Sequence, residues 1–262
     1  EFSNGQLLEH PRDGLALFGP VDSNGSRTPR HIRYGIIGTP SGIASAKAFI
    51  ASLSRPVLTE DDLDVVLWPH FPGFEEAFHA ILPAEPAWQE SLDEAQLEQL
   101  VRKADQHARV FDIADVFMNA IRRAKRTDHV CDMYFCVVPD IIWKNCRPKS
   151  HVTGALGKPL GSKKVELRRH MDDMFGGYTS DQYEYSVDFR RQIKARVMEL
   201  DAPIQIVRES TLALTTQPFG KRQLTTLSDR AWNLSTAIYY KSGGKPWKLS
   251  GAREGVCYVG VA

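Results

Sequence analysis

The stretch DFRRQIKARVMELDAPIQIVRE, residues 188–209, carries two periodicities in one short run. Phe189, Ile193, Val197 and Leu200 recur at helical spacing, and the apolar run around Ile204, Ile206 and Val207 then reads as a strand. Arg190, Arg191, Lys194 and Arg196 surround the apolar stripe of the helix, and the strand holds a lone glutamine, Gln205. Arg190 and Lys194 are four residues apart and share a helix face, where like charges cost roughly 0.2–0.5 kcal/mol. A bound anion would offset that cost. Ser186 is the expected N-cap, so an anion there would also meet free backbone donors at a helix N-terminus.

Outward from this stretch the chain alternates apolar strands with amphipathic helices. HIRYGIIGT, residues 31–39, reads as a strand that turns through Pro40 into a helix with Ile43, Ala46, Phe49, Ile50 and Leu53 on one face. DVVLW, residues 64–68, reads as a second strand. Ser91 with Glu94 forms a capping-box pattern ahead of one long helix that runs to the basic cluster Arg122, Arg123, Lys125 and Arg126. DMYFCVVP, residues 132–139, has the continuous apolar character of a buried strand, and a last helix ends at Gly243 and Gly244. Strands separated by helices predict an α/β, Rossmann-like fold with a parallel sheet flanked by helices.

The composition limits the function classes. The chain has 262 residues, 42% hydrophobic and 25% charged, with a formal net charge of +1, so affinity for nucleic acid requires a local patch. The four cysteines, Cys131, Cys136, Cys146 and Cys257, form no CxxC pair, which argues against a zinc site or a disulfide framework and for a reducing, cytoplasmic setting. No run approaches the ~18 apolar residues of a membrane span, so no membrane partner is expected.

Two glycine-bearing segments invite a nucleotide reading. GIIGTPSG places Gly35, Gly38 and Gly42 at a strand-to-helix turn, but the spacing is not GxGxxG and no acidic residue ends a following strand, so a simple tight turn is the better explanation. GKPLGSKK fails the GxxxxGK[ST] spacing, and no helix is evident after it. It belongs to a basic insertion around 144–185. Between 144 and 169 this insertion carries Lys144, Arg147, Lys149, Lys158, Lys163, Lys164, Arg168 and Arg169 against one acid, Glu166. A flexible surface loop and a phosphate-backbone contact through Lys144, Arg147, Lys163 and Lys164 are both open. No HExxH, GxSxG or paired-carboxylate pattern stands out. A Rossmann-type oxidoreductase and a scaffold for a partner chain are the alternatives to nucleic-acid binding.

Several segments in this order resemble the MID half of a short prokaryotic Argonaute. They are HPRDGLALFGPVD near the start, FPGFEEAF at 71–78, VVPDIIWKNCRP at 137–148, APIQIVRESTL at 202–212 and LSTAIYYKSGGKPWKL at 234–249. The closing CYVGVA resembles the first strand of a PIWI domain. The resemblance implies a connecting segment at 1–25, a MID domain at 26–246 and the start of an RNase H-like PIWI domain at 247–262. It also implies that the 5′-phosphate of a guide is gripped by Arg190, Lys194, Gln205 and Lys241, with Arg190 standing where the family carries Tyr or His. Guide RNA and single-stranded target DNA are the implied nucleic acids, and Mg2+ at the guide 5′ end the implied ion, with no protein ligand assigned. The implied partner is an associated chain with a PAZ-analogous region and a TIR or sirtuin-like effector, in prokaryotic antiviral defence.

In slicing members of that family the first PIWI strand ends Gly-x-Asp, and the aspartate holds divalent metal for phosphodiester cleavage. Here Gly260 and Val261 precede Ala262, whose methyl group ligates nothing. The resemblance therefore implies a catalytically inactive, guide-directed sensor. The expected outcome for the full-length protein is binding of a guide-matched target without cleavage; metal-dependent cleavage lost on a PIWI substitution would show the opposite.

Overall fold

A computed structural model describes residues 1–23, 29–60, 64–158, 160–175, 181–215, 224–251 and 255, apart from the side chains of 169, 171–175 and 181. The closing segment 257–262, with Ala262, lies outside the described residues. The strands are β1 (Arg30–His31), β2 (Tyr34–Gly38), β3 (Ala80–Ile81), β4 (Trp88–Ser91), β5 (Met133–Val138) and β6 (Ile204–Arg208). The helices are α1 (Pro11–Phe18), α2 (Pro40–Ser52), α3 (Phe74–Phe78), α4 (Glu94–Val101), α5 (Gln106–Lys125), α6 (Asp140–Asn145), α7 (Ser162–Phe175), α8 (Phe189–Val197) and α9 (Leu227–Lys241). The chain folds as two compact units, one of residues 1–32, 50–84 and 214–262, the other of 33–49 and 85–213.

The second unit holds a wholly parallel sheet in the order β4-β2-β5-β6, flanked by helices, as a Rossmann-like α/β fold requires. β5 is buried at all six positions, the pattern of a strand covered on both faces. Tyr134, Cys136 and Val138 face a core built with Val110, Ile113 and Phe117 of α5 and Phe189, Ile193 and Val197 of α8. Phe135 and Val137 alternate to the other face, where Gly42 of α2 meets Val137. β2 lies so close to β5 that a Cβ on Gly35 would stand 2.6 Å from the Tyr134 ring, and one on Gly38 3.0 Å from Val137 Cβ. Thr39 Oγ1 accepts from Gly42 N at 3.1 Å and starts α2. The glycines of GIIGTPSG are thus accounted for by packing.

Four expectations change. The strand read at 31–39 is two strands, β1 and β2, which belong to different sheets. DVVLW is a turn: the Asp64 carboxylate accepts from Val66 N at 2.8 Å, its carbonyl accepts from Leu67 N and Trp68 N, and Val65, Val66 and Leu67 are exposed. The strand that does flank β2 is β4, whose Trp-Gln-Glu-Ser sequence lacks an apolar run. The long helix is α4 and α5, and Ser91 ends β4 while Asp93 and Asp105 cap the two helices. The helix breaks because the insertion takes its backbone partners: Leu156 N donates to Arg102 O at 2.7 Å, and Ala104 N donates to Leu156 O at 3.0 Å.

The first unit packs α1, α3 and α9 with the short parallel pair β1–β3. Its aromatic core sets Phe71 against Trp232, ring centroids 5.1 Å apart and nearly perpendicular, and Phe78 against Tyr239 at 5.2 Å. Phe2 and Leu15 are buried, so residues 1–23 are built into this unit. α9 is capped by Thr226, whose Oγ1 accepts from Asp229 N at 3.1 Å, and it ends as expected at Gly243, with φ +88°. Among the described residues no helix is long and apolar enough to cross a membrane.

Arg196 shows how the α5–α8 contact is held. Its side chain is 7% exposed, pairs with Asp115, and lies 4.4 Å from the centre of the Phe111 ring. Removing Asp115 leaves that buried guanidinium without its counter-charge, at a cost of about 1.5–3 kcal/mol. Urea unfolding of Asp115→Ala is expected to show a loss of that size, and an unchanged midpoint would mean that the pair contributes nothing.

Candidate functional site

α8 is the element on which the basic residues converge. Asp188 caps it, its Oδ1 accepting from Arg191 N at 3.0 Å, while Ser186 Oγ accepts from Asp188 N at 3.2 Å. The expected Ser186 cap therefore moves to Asp188. A carboxylate already occupies the helix N-terminus and takes one of its free donors, so an anion here would be held by side chains. Phe189, Gln192, Ile193, Arg196 and Val197 turn inward, and Arg190, Arg191 and Lys194 are exposed. Among the described residues these three cations have no ion-pair partner. Arg33, Arg123, Lys103, Arg196 and Arg208 in the same unit are each matched by a carboxylate. Arg196, read from sequence as one of the ring of cations, lies seven residues from Phe189 and three from Ile193, on the buried stripe.

The start of α8 is fixed to the end of α6, because Phe189 N donates to Cys146 O at 3.0 Å. Arg147 and Arg190, each one residue further along, thus stem from adjoining backbone. Arg147 lies over the Trp143 ring at 4.5 Å, and Lys144 is exposed one turn earlier. Cys146 itself is buried, which pushes its thiol up to about 12 and keeps it neutral.

Gln205 is placed differently. Ile204 and Ile206 belong to the core beneath α5 and α8, so strand alternation turns Gln205 to the opposite face of the sheet, beside its register partner Phe135. Its Nε2 donates to Ile206 O at 3.2 Å. Lys241 is the last residue of α9, half-buried, in the other unit. The structure therefore brings Arg190 and Lys194 together, with Lys144 and Arg147 at the adjoining helix end, and sets Gln205 on the other side of the sheet.

The insertion is not all loop: its second half carries a helix, α7. Lys163 and Lys164 are exposed on the first turn of α7, the helix that the sequence did not reveal after GKPLG. Arg168 is exposed but engaged: its Nη1 donates at 2.9 Å to Tyr183 Oη, which donates in turn to Asp105 at 2.6 Å. Burial and the bond to Asp105 push Tyr183 up to about 12. A cleft of about 890 Å3 lies between this segment and the start of α5, lined by Asp105, His107, Arg109, His151 and Glu166 among others. Its mixed charge does not favour a polyanion. Among the described residues there is no group of three or more His, Cys, Asp or Glu that could hold a metal ion.

Sequence reasoning missed one polar cluster at the carboxyl ends of the strands. Arg208, the last residue of β6, pairs with Asp140, the first residue of α6 after β5, and Ser210 Oγ donates to the same carboxylate oxygen at 3.1 Å. Carboxyl-end positions of parallel strands are where ligands collect in such folds, and that position was the available signal. Comparison with known proteins finds no family model and no curated protein that matches the chain.

Burial works to raise the Asp140 pKa, but the Arg208 guanidinium, Ser210 and Lys144 outweigh it, and the carboxyl titrates below its ordinary value. A depressed carboxylate contributes stability that is present above its unfolded pKa of about 3.9 and is lost as pH falls through the folded value. The stability gap between the native protein and Asp140→Asn is therefore expected to be full near neutral pH and to close in acid. A gap independent of pH in chemical denaturation would contradict this.

Proposed function

We propose that the protein binds the phosphorylated 5′ end of a guide strand, as the MID domain of a short Argonaute, and does so through the exposed face of α8. The observation that carries this reading is the set Arg190, Arg191 and Lys194, solvent-facing and without ion-pair partners among the described residues, beside Lys144 and Arg147. Protein cations that are not neutralised internally remain available to phosphate oxygens, and a terminal phosphate offers more charge than an internal one. The Arg190 guanidinium also supplies a plane able to stack on a base. Lys241 enters the proposal through the resemblance.

In this reading the guide is RNA and pairs with single-stranded target DNA, so sequence specificity comes from pairing while the protein reads end and backbone. With no slicing chemistry of its own, the protein reports target recognition to an associated chain that carries the PAZ-analogous region and a TIR or sirtuin-like effector, within the cytoplasm of a prokaryote.

Titration of the chain with 5′-phosphorylated and 5′-hydroxyl guides tests the reading. Lys194→Ala or Lys241→Ala is expected to remove about 1.5–3 kcal/mol from the phosphorylated guide alone, lowering the preference for it. Equal losses for both guides would refute end recognition. Gln205→Ala, whose amide is turned to the other face of the sheet, is expected to change the ratio least. Lys163→Ala with Lys164→Ala is expected to weaken both guides alike and flatten the salt dependence; an unaltered slope would leave α7 as a solvated surface.

A further inference from the structure

The first unit carries a groove of about 910 Å3 that the α8 reading does not use. Tyr240 on α9, Trp68 after the Asp64 turn, and Trp247 line it, together with Arg12, Lys245 and Lys248. Among the described residues no Asp or Glu lines it. Tyr240 is 66% exposed and Trp247 36%, an unusual outlay of aromatic surface to water. Arg12 pairs with Asp229 and Lys248 with Glu1, acids that lie outside the lining, whereas the Lys245 ammonium has no ion-pair partner among the described residues. The Lys245 backbone is pinned, its N donating to Asp22 Oδ2 at 2.8 Å, so the side chain projects from a fixed base.

We infer that this groove is a stacking site for single-stranded nucleic acid. Aromatic faces beside cations, with no carboxylate in the lining among the described residues, are what an unpaired strand requires: bases stack on the rings and the backbone is met by positive charge. The amide of Asn233 and the hydroxyl of Thr236, also in the lining, offer neutral contacts to base edges or sugar. Stacking is tolerant of sequence, so the site takes any unpaired segment and does not read its terminus. The inference extends the nucleic-acid reading to a second surface, but it stands on different residues.

The experiment is photocrosslinking of the full chain to a single-stranded oligonucleotide carrying 5-iodouracil, with titrations of 5′-phosphorylated and 5′-hydroxyl forms of the same strand. The variants are Tyr240→Ala and Lys245→Glu, both at exposed side chains whose loss leaves the core intact. Expected are crosslinks to Tyr240, Trp247 or Trp68, and affinity about tenfold weaker for both strand forms in each variant, with the preference between them unchanged. Crosslinks absent from this groove, or variants that bind as the native protein does, would overturn the inference and leave the α8 reading standing. Groove crosslinks in a protein with no 5′-phosphate preference would uphold the inference and overturn the α8 reading. Variants that alter self-association instead of strand binding would assign the groove to a second copy of the chain and overturn the inference.

Discussion

The contact between β2 and β5 is the constraint from which the arrangement of the second unit follows. Tyr134 and Val137 occupy the space that side chains at positions 35 and 38 would need, so glycine at both positions lets the strands pack with these rings and methyls where they stand. Once they close, alternation along β5 fixes what each face carries: Tyr134, Cys136 and Val138 toward α5 and α8, Phe135 and Val137 toward α2. Register then extends the rule to β6, where Gln205 follows Phe135, and Arg208, opposite Val138, arrives at the edge next to Asp140. The placement of the α8 cations is thus linked, through the sheet, to the glycines of β2.

A second ordering principle is the sorting of cations. Taking a guanidinium out of water is costly unless a counter-charge or hydrogen-bond acceptors go with it. Arg196 satisfies that condition through Asp115 and the Phe111 ring, and Arg109 through the carbonyls of Asn145 and Lys103. What remains on α8 after this sorting is a smaller set than the primary structure displays, and it lies wholly on the solvent face.

The parallel α/β character was legible in sequence because β5 is apolar throughout and buried on both faces while α8 and α9 each bury one side, and burial is what hydrophobic patterning records. The errors fall where hydrogen bonds override composition. Asp64 bends an apolar run into a turn, β4 pairs through a polar sequence at the sheet edge, and Leu156 supplies the partners that break the helix between Arg102 and Asp105. At the candidate site, Arg190 and Lys194 could be read from spacing alone, since their relation is local. The separation of Gln205 from them could not, because a strand's face is set by neighbours more than sixty residues away in sequence. Arg208 and Asp140 were hidden for the same reason, each being unremarkable until two strands are laid side by side.

The insertion has a consequence for how this fold can vary. Its near end is joined to the chain before α5 through Leu156, and its far end through Tyr183 to Asp105, so the segment leaves and returns at almost one point. An excursion whose ends are already held together grows cheaply: doubling its length costs only about 0.6 kcal/mol of closure entropy. The sheet and α8 would not register such a change. Length and charge between residues 157 and 181 are therefore the parameters that can drift or be engineered while the scaffold that presents Arg190 and Lys194 stays the same.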